Sequence, residues 1–205
     1  MVQKESGKKN RGRPRAYDPQ VALDRALNMF WRAGFASTSI DDICTATGMN
    51  RPSVYAAFGD KRALFRAALE RYTSISREKM SRAFSNDEPL RESLAGVYSR
   101  ALDLYFAEPS APLGCFFVGA ALTPAFDDEE IRELTNSGLR EFEAAFRRLI
   151  ASAQERGEIG NDRDADGLAK MASATLYYLA IRSRAGEKRS TLDSYAKFAV
   201  GYICS

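Results

Sequence analysis

The sequence predicts an all-α protein in which a three-helix unit with a helix-turn-helix precedes a larger all-helical region. Three observations predict it. Strand-like alternation is scarce along the 205 residues. Helix start and stop signals recur. Apolar residues return every three or four positions, the spacing of one helix face.

Asp18-Pro19 opens the first helix, a cap residue followed by proline at the first helical position. Val21, Ala22, Ala26, Phe30 and Ala33 then recur at helical spacing, and Gly34 is placed to end it. Thr38-Ser39-Ile40-Asp41 reads as a capping box with aspartate in place of the usual glutamate. Its helix runs to about Thr47, where Gly48 breaks it. Asn50 caps the next, from Arg51 to about Phe58. Gly59 ends that helix and Asp60 caps a longer one through Phe65, Leu69, Tyr72 and Ile75.

Beyond, Pro89 opens a helix containing Leu94, Tyr98, Leu102 and Tyr105. Pro109 to Gly114 reads as a loop, and Cys115-Phe116-Phe117-Val118 begins another apolar helix. Asp127-Asp128-Glu129-Glu130 suits a helix N-terminus, and a metal site is the competing reading of that run. Ile131, Leu134, Gly138, Phe142, Phe146, Leu149 and Ala153 mark one long amphipathic helix. Leu168, Met171, Ala172, Thr175, Leu176, Leu179 and Ala180 form a broad apolar face. After Gly186, Ser190 is the expected cap of a last helix that is apolar over most of its circumference.

Composition narrows the function classes. The chain is 45% apolar and 28% charged, the balance of a soluble globular protein. No apolar run reaches the roughly 18 residues of a membrane span, and no signal peptide is legible. Cys44, Cys115 and Cys204 have no metal or disulfide spacing, which points to a reducing compartment, the cytoplasm. The chain has no histidine, which excludes Ser-His-Asp and Cys-His catalysis and histidine metal sites within it. No catalytic residue, metal or cofactor is expected.

Charge is uneven. Residues 1–15 hold six basic side chains against Glu5, a net +5, so a total of +3 leaves the rest at −2. Such an arm suits a polyanion, nucleic acid first, or serves as a solubilising tail. Within Arg11-Gly12-Arg13-Pro14-Arg15, the residues Arg13 and Arg15 could lie extended in an A·T-rich minor groove. The alternative is a disordered arm with nonspecific attraction only.

The short helices from Ile40 and from Arg51 make the helix-turn-helix. The second presents Arg51, Pro52 and Ser53 at its start and Tyr55 one turn on, the kind of face that reads base edges in a major groove. Helix N-termini near Ser39 and Lys61 suit phosphates.

From Ala16 to Leu69 the chain resembles the DNA-binding domain of TetR-family transcriptional regulators. The resemblance rests on Gly34-Phe35, Thr38-Ser39-Ile40-Asp41-Asp42-Ile43, Gly48-Met49-Asn50, Val54-Tyr55-Ala56-Ala57-Phe58, Lys61, Leu64 and Phe65. It implies base contacts at Arg51, Pro52 and Ser53, and phosphate contacts at Tyr55, Lys61, Thr38 and Ser39. Two positions depart from the family pattern: Pro52 stands where a small residue is usual, and Ala57 where histidine is frequent. The resemblance also implies a division into a basic arm (1–15), a DNA-binding domain (16–62) and a helical regulatory and dimerisation domain (63–205).

By the same resemblance the last two helices pair with those of a second copy, with Leu176, Leu192, Tyr195, Phe198 and Tyr202 in a homodimer interface. Tyr98, Tyr105, Phe117, Phe146 and Tyr177 either line a cavity for a small apolar or aromatic effector or pack as core. Cys115, after Gly114 at a helix start, is either a reactive thiolate sensor or an inert buried thiol. The expected function is a repressor released from a palindromic double-stranded operator by such an effector. The alternative is a helical-bundle carrier or enzyme with no DNA role, which no nucleophile–base pair or phosphate loop supports.

Overall fold

The structure, a computed structural model, describes residues 17–85, 87–108 and 111–205. Among them are nine α-helices and one π-helical turn, with no strand. The basic arm, with Arg13 and Arg15, lies outside the described residues.

Helix α1 (Pro19–Ser37) starts where the side chain of Asp18 accepts from the N–H of Gln20 at 2.8 Å. Gly34 has φ 81° and ψ 170°, a backbone that only glycine takes cheaply, so the regular helix breaks there and resumes for one short turn. Helix α2 (Ile40–Thr47) begins one residue later than expected. Ser39, not Thr38, is the cap, and Asp42, not Asp41, completes the capping box. Burial decides between them: Thr38 is 1% exposed and its hydroxyl donates to the Gly34 carbonyl at 2.8 Å. Helices α3 (Arg51–Phe58) and α4 (Lys61–Met80) are capped as expected by Asn50 and Asp60, which accept from Ser53 and Ala63 N–H groups.

Helix α5 (Leu90–Tyr105) follows Pro89. The expected apolar helix after Cys115 is a π-helical turn (Phe117–Ala121) running into α6 (Leu122–Asp127). Asp128 caps α7 (Glu129–Glu155), accepting from Ile131 N–H at 3.1 Å, so the acidic run is a helix start. Helices α8 (Ala165–Arg184) and α9 (Arg189–Ile203) close the chain. Lys188 rather than Ser190 precedes α9, with no side-chain cap.

One hydrophobic core runs from Ala22 to Ile203. Aromatic rings connect its two ends. Phe30 and Phe35 meet Phe65 edge-on, Phe65 meets Phe116 at 5.4 Å, and Tyr72 meets both Phe116 and Phe117. Gly138 is required on α7 because the Phe117 ring lies against its backbone; an added Cβ would sit 2.6 Å from Phe117 Cε1.

Two further devices tie α1 and α4 to the rest. Trp31 Nε1 donates to the Leu113 carbonyl at 3.2 Å, and Arg184 from α8 donates to the carbonyls of Trp31 and Leu113, both at 2.9 Å. Three arginines of α4 pair with α7 or its cap: Arg62 with the cap residue Asp128, Arg66 with Glu130 and Arg77 with Glu141.

Candidate nucleic-acid interface

Helices α2 and α3 pack through Ile43 and Val54, both fully buried, and Gly48 turns the chain between them. That packing leaves one side of α3 outside. Arg51, Pro52, Tyr55, Ala56 and Ala57 are exposed, with Tyr55 at 49%, while Ser53 is half-buried with its N–H held by Asn50. Proline at the second helical position costs no hydrogen bond, because that N–H has no intrahelical partner. Arg51 is held by Asp41, which accepts from Nε at 2.7 Å and from the NH2 nitrogen at 2.5 Å. The guanidinium holds the Asp41 carboxyl below its usual pKa, and Asp41 raises Arg51 in return.

The expected phosphate contacts sort unevenly. Tyr55 is exposed on the outer face. The Ser39 hydroxyl is exposed, but it donates to Asp42 at 2.6 Å and accepts its N–H. Lys61 lies with Nζ 4.5 Å over the Phe35 ring; burial lowers its pKa and Asp42 partly offsets that. Thr38 is a correction: buried, with its hydroxyl spent on Gly34, it presents no donor to an outside partner.

The expected dimer residues divide too. Leu176 and Leu192 are 3% and 1% exposed and belong to the protomer's own core, which corrects their assignment. Phe198 is 71% exposed and Tyr202 56%, and Tyr195 packs on Tyr178 with ring centres 4.3 Å apart and the rings tilted by 39°. Met171, Tyr178 and Ile181 of α8 extend the same exposed apolar set; apolar spacing includes Met171 in the face of that helix and leaves out Tyr178 and Ile181.

The aromatic cavity is also corrected. Tyr98, Tyr105, Phe117 and Phe146 are buried in the protomer's core, and three of them pack against other rings. Tyr98 donates to the Ala172 carbonyl, and half-buried Tyr177 reaches the Leu139 carbonyl at 3.5 Å. A cleft of about 440 Å³ opens instead between α1 and α4 on one side and α6, α7 and α8 on the other. Phe35, Arg62, Thr123, Asp127, Ile131 and Arg184 are among its walls. Cys115 is buried beside Tyr72 and Tyr105; burial pushes its thiol up, against weaker hydrogen bonds that act the other way. That is the reverse of a reactive thiolate.

The sequence matches two family models: bacterial regulatory proteins of the tetR family over residues 22–68, and the tetracyclin repressor-like C-terminal domain over residues 91–198. The chain belongs to the TetR family. The HTH-type transcriptional repressor ComR of Escherichia coli K12 is 33% identical over 189 residues, covering 92% of this chain and 90% of ComR. BdcR of the same organism, also an HTH-type transcriptional repressor, is 34% identical over 94 residues, 46% of this chain and 48% of BdcR. Among solved structures, the TetR-family regulator CifR complexed with 26-bp double-strand operator DNA superposes with a TM-score of 0.84. It is 28% identical and covers 92% of this chain and 98% of CifR. This TetR-family member is therefore a transcriptional regulator, and its family is not one of enzymes. Among its described residues no helix is long and apolar enough to cross a membrane.

Proposed function

We propose that the protein is a cytoplasmic repressor that binds a pseudo-palindromic operator as a homodimer and leaves it when a small effector binds. The observation that carries this is the coexistence, in one rigidly packed chain, of an exposed α3 face and an exposed apolar face on α8 and α9. A twofold dimer through Tyr178, Ile181, Tyr195, Phe198 and Tyr202 repeats α3 about the same axis, so each half-site meets one protomer. Arg51, Pro52 and Tyr55 face the major groove, Lys61 and the α2 N-terminus face phosphates, and the arm with Arg13 and Arg15 adds charge.

The effector enters the 440 Å³ cleft rather than the aromatic core, whose rings are buried and packed on one another. Its walls combine apolar side chains such as Phe35 and Ile131 with Arg62, Thr123 and Asp127, which suits a small, largely apolar molecule with a polar end. Occupancy there bears on α4, whose N-terminus sits beside α3. The ligand acts only through unequal affinity for the bound and free shapes.

The test is transcription in vitro from the promoter nearest the protein's own gene. Added protein is expected to lower transcript yield and Arg51→Ala to restore it. Unchanged or increased yield would contradict repression.

A further inference from the structure

We propose that Arg51 reads a guanine in each half-site and that Asp41 is the residue that aims it. The inference rests on the proposed DNA-binding function and adds the base and a positioning residue.

The geometry is specific. A guanidinium has five N–H donors in a rigid fork. Asp41 occupies one side of it, through Nε and one N–H of the NH2 nitrogen. Among the described residues the far end has no partner: one N–H from each terminal nitrogen, parallel and coplanar. Two parallel donors match O6 and N7 of guanine, the pair of acceptors in the major groove that arginine reads end-on. Arg51 is the first residue of α3, where a recognition helix meets base edges.

Charge separates a base from a phosphate as the partner. Paired with Asp41, Arg51 is half of a neutral unit, and a phosphate beside it also meets the aspartate's negative charge. A base edge is neutral, so it keeps the directional value of the fork and loses nothing to Asp41. The pairing also orders a long, exposed side chain before DNA arrives, so less freedom is lost on binding. Asp41 itself is fixed, on the first turn of α2, with its carbonyl accepting from Thr45. Its neighbour Asp42 is committed to the capping box and is not interchangeable with it.

The experiment selects bound sequences from a random duplex pool with the full-length protein. Each guanine in the enriched half-site is then replaced by 7-deazaguanine, which keeps base pairing but removes the N7 acceptor. One position is expected to weaken the parent protein about 5- to 150-fold and to leave Arg51→Ala unaffected. At that position Asp41→Asn is expected to lose most of the preference for guanine over adenine while binding nonspecific DNA slightly more tightly, since a negative charge is gone. Asp41→Glu is expected to recover part of the preference. A merely structural Asp41 would weaken every sequence alike and leave the guanine preference intact. That result, or the absence of a position that distinguishes the parent from Arg51→Ala, would overturn the inference. A pool from which nothing is enriched would overturn the DNA-binding reading along with it.

Discussion

Replacing Phe198 separates the roles of a face covered by a partner and a face covered by its own chain. Phe198 is 71% exposed in the protomer. Of a phenylalanine's roughly 200 Å², about 140 Å² is then open to a partner, worth about 3.5 kcal/mol if fully covered. Alanine keeps part of that area, so Phe198→Ala loses about 2–2.5 kcal/mol per protomer. Twofold symmetry doubles the loss to about 4–5 kcal/mol, roughly a thousandfold in the dimer dissociation constant. Phe198→Glu adds the cost of a buried charge and is expected to give monomers at micromolar concentration. Sedimentation velocity over a dilution series reads the constant, and circular dichroism checks that the helices persist. Operator affinity is expected to fall in parallel, because half-site binding loses the effective concentration of a linked pair. In Leu176→Ala the pattern differs: that side chain is 3% exposed, so the protomer itself loses about 2–5 kcal/mol. A dimer unchanged by Phe198→Glu would refute the assignment of this face.

Three more outcomes are expected. Gly138→Ala forces a methyl into the fully buried Phe117 ring and is expected to cost about 1–3 kcal/mol, seen as a lower urea midpoint; an unchanged midpoint would mean that Phe117 has room to move. Lys61→Ala is expected to weaken all DNA sequences alike and flatten the salt slope by about one unit, and deletion of residues 1–15 to flatten it further; an unchanged slope in either would remove that group from the phosphate contacts. Burial holds Cys115 protonated above its ordinary pKa of 9.0, and Tyr72 above 10.0, so the folded state binds more protons than the unfolded at alkaline pH. Stability is therefore full below about pH 9 and falls as pH rises further, with a lower Tm at pH 10 than at pH 8 and a smaller drop in Cys115→Ala.

Local chemistry was the most legible part of the fold. Asp18, Asn50 and Asp60 each cap the helix that the sequence places after them, because capping depends on only a few residues. The slip at Thr38 arose where two cap-forming residues precede two aspartates, and both registers satisfy the local rule. Burial of Thr38 against α1 breaks that tie, and burial is not local. Apolar spacing finds the faces of α8 and α9 but not which side the chain covers itself, so the dimer set that the resemblance implies takes in Leu176 and Leu192 along with Phe198. For the aromatics, spacing told that they point inward, whereas a filled core or a cavity depends on how rings from α4, α5 and α7 interlock. The exposed start of α3 was legible, and its clamp was not: Asp41 and Arg51 lie on different helices and meet only through the turn at Gly48. The same holds for Arg184, which reaches the end of α1 from the far end of the chain.

In the proposed function two protomers bind one symmetric site. Footprinting on fragments of the protein's own genome, with the stoichiometry of the isolated complex measured by native mass spectrometry, tests it most directly. The expected result is a protected pseudo-palindrome whose half-sites are centred about one helical turn apart, or a multiple of one, with protomers bound in pairs. Diffuse protection with no preferred sequence, or a single protomer saturating a site without symmetry, would contradict it.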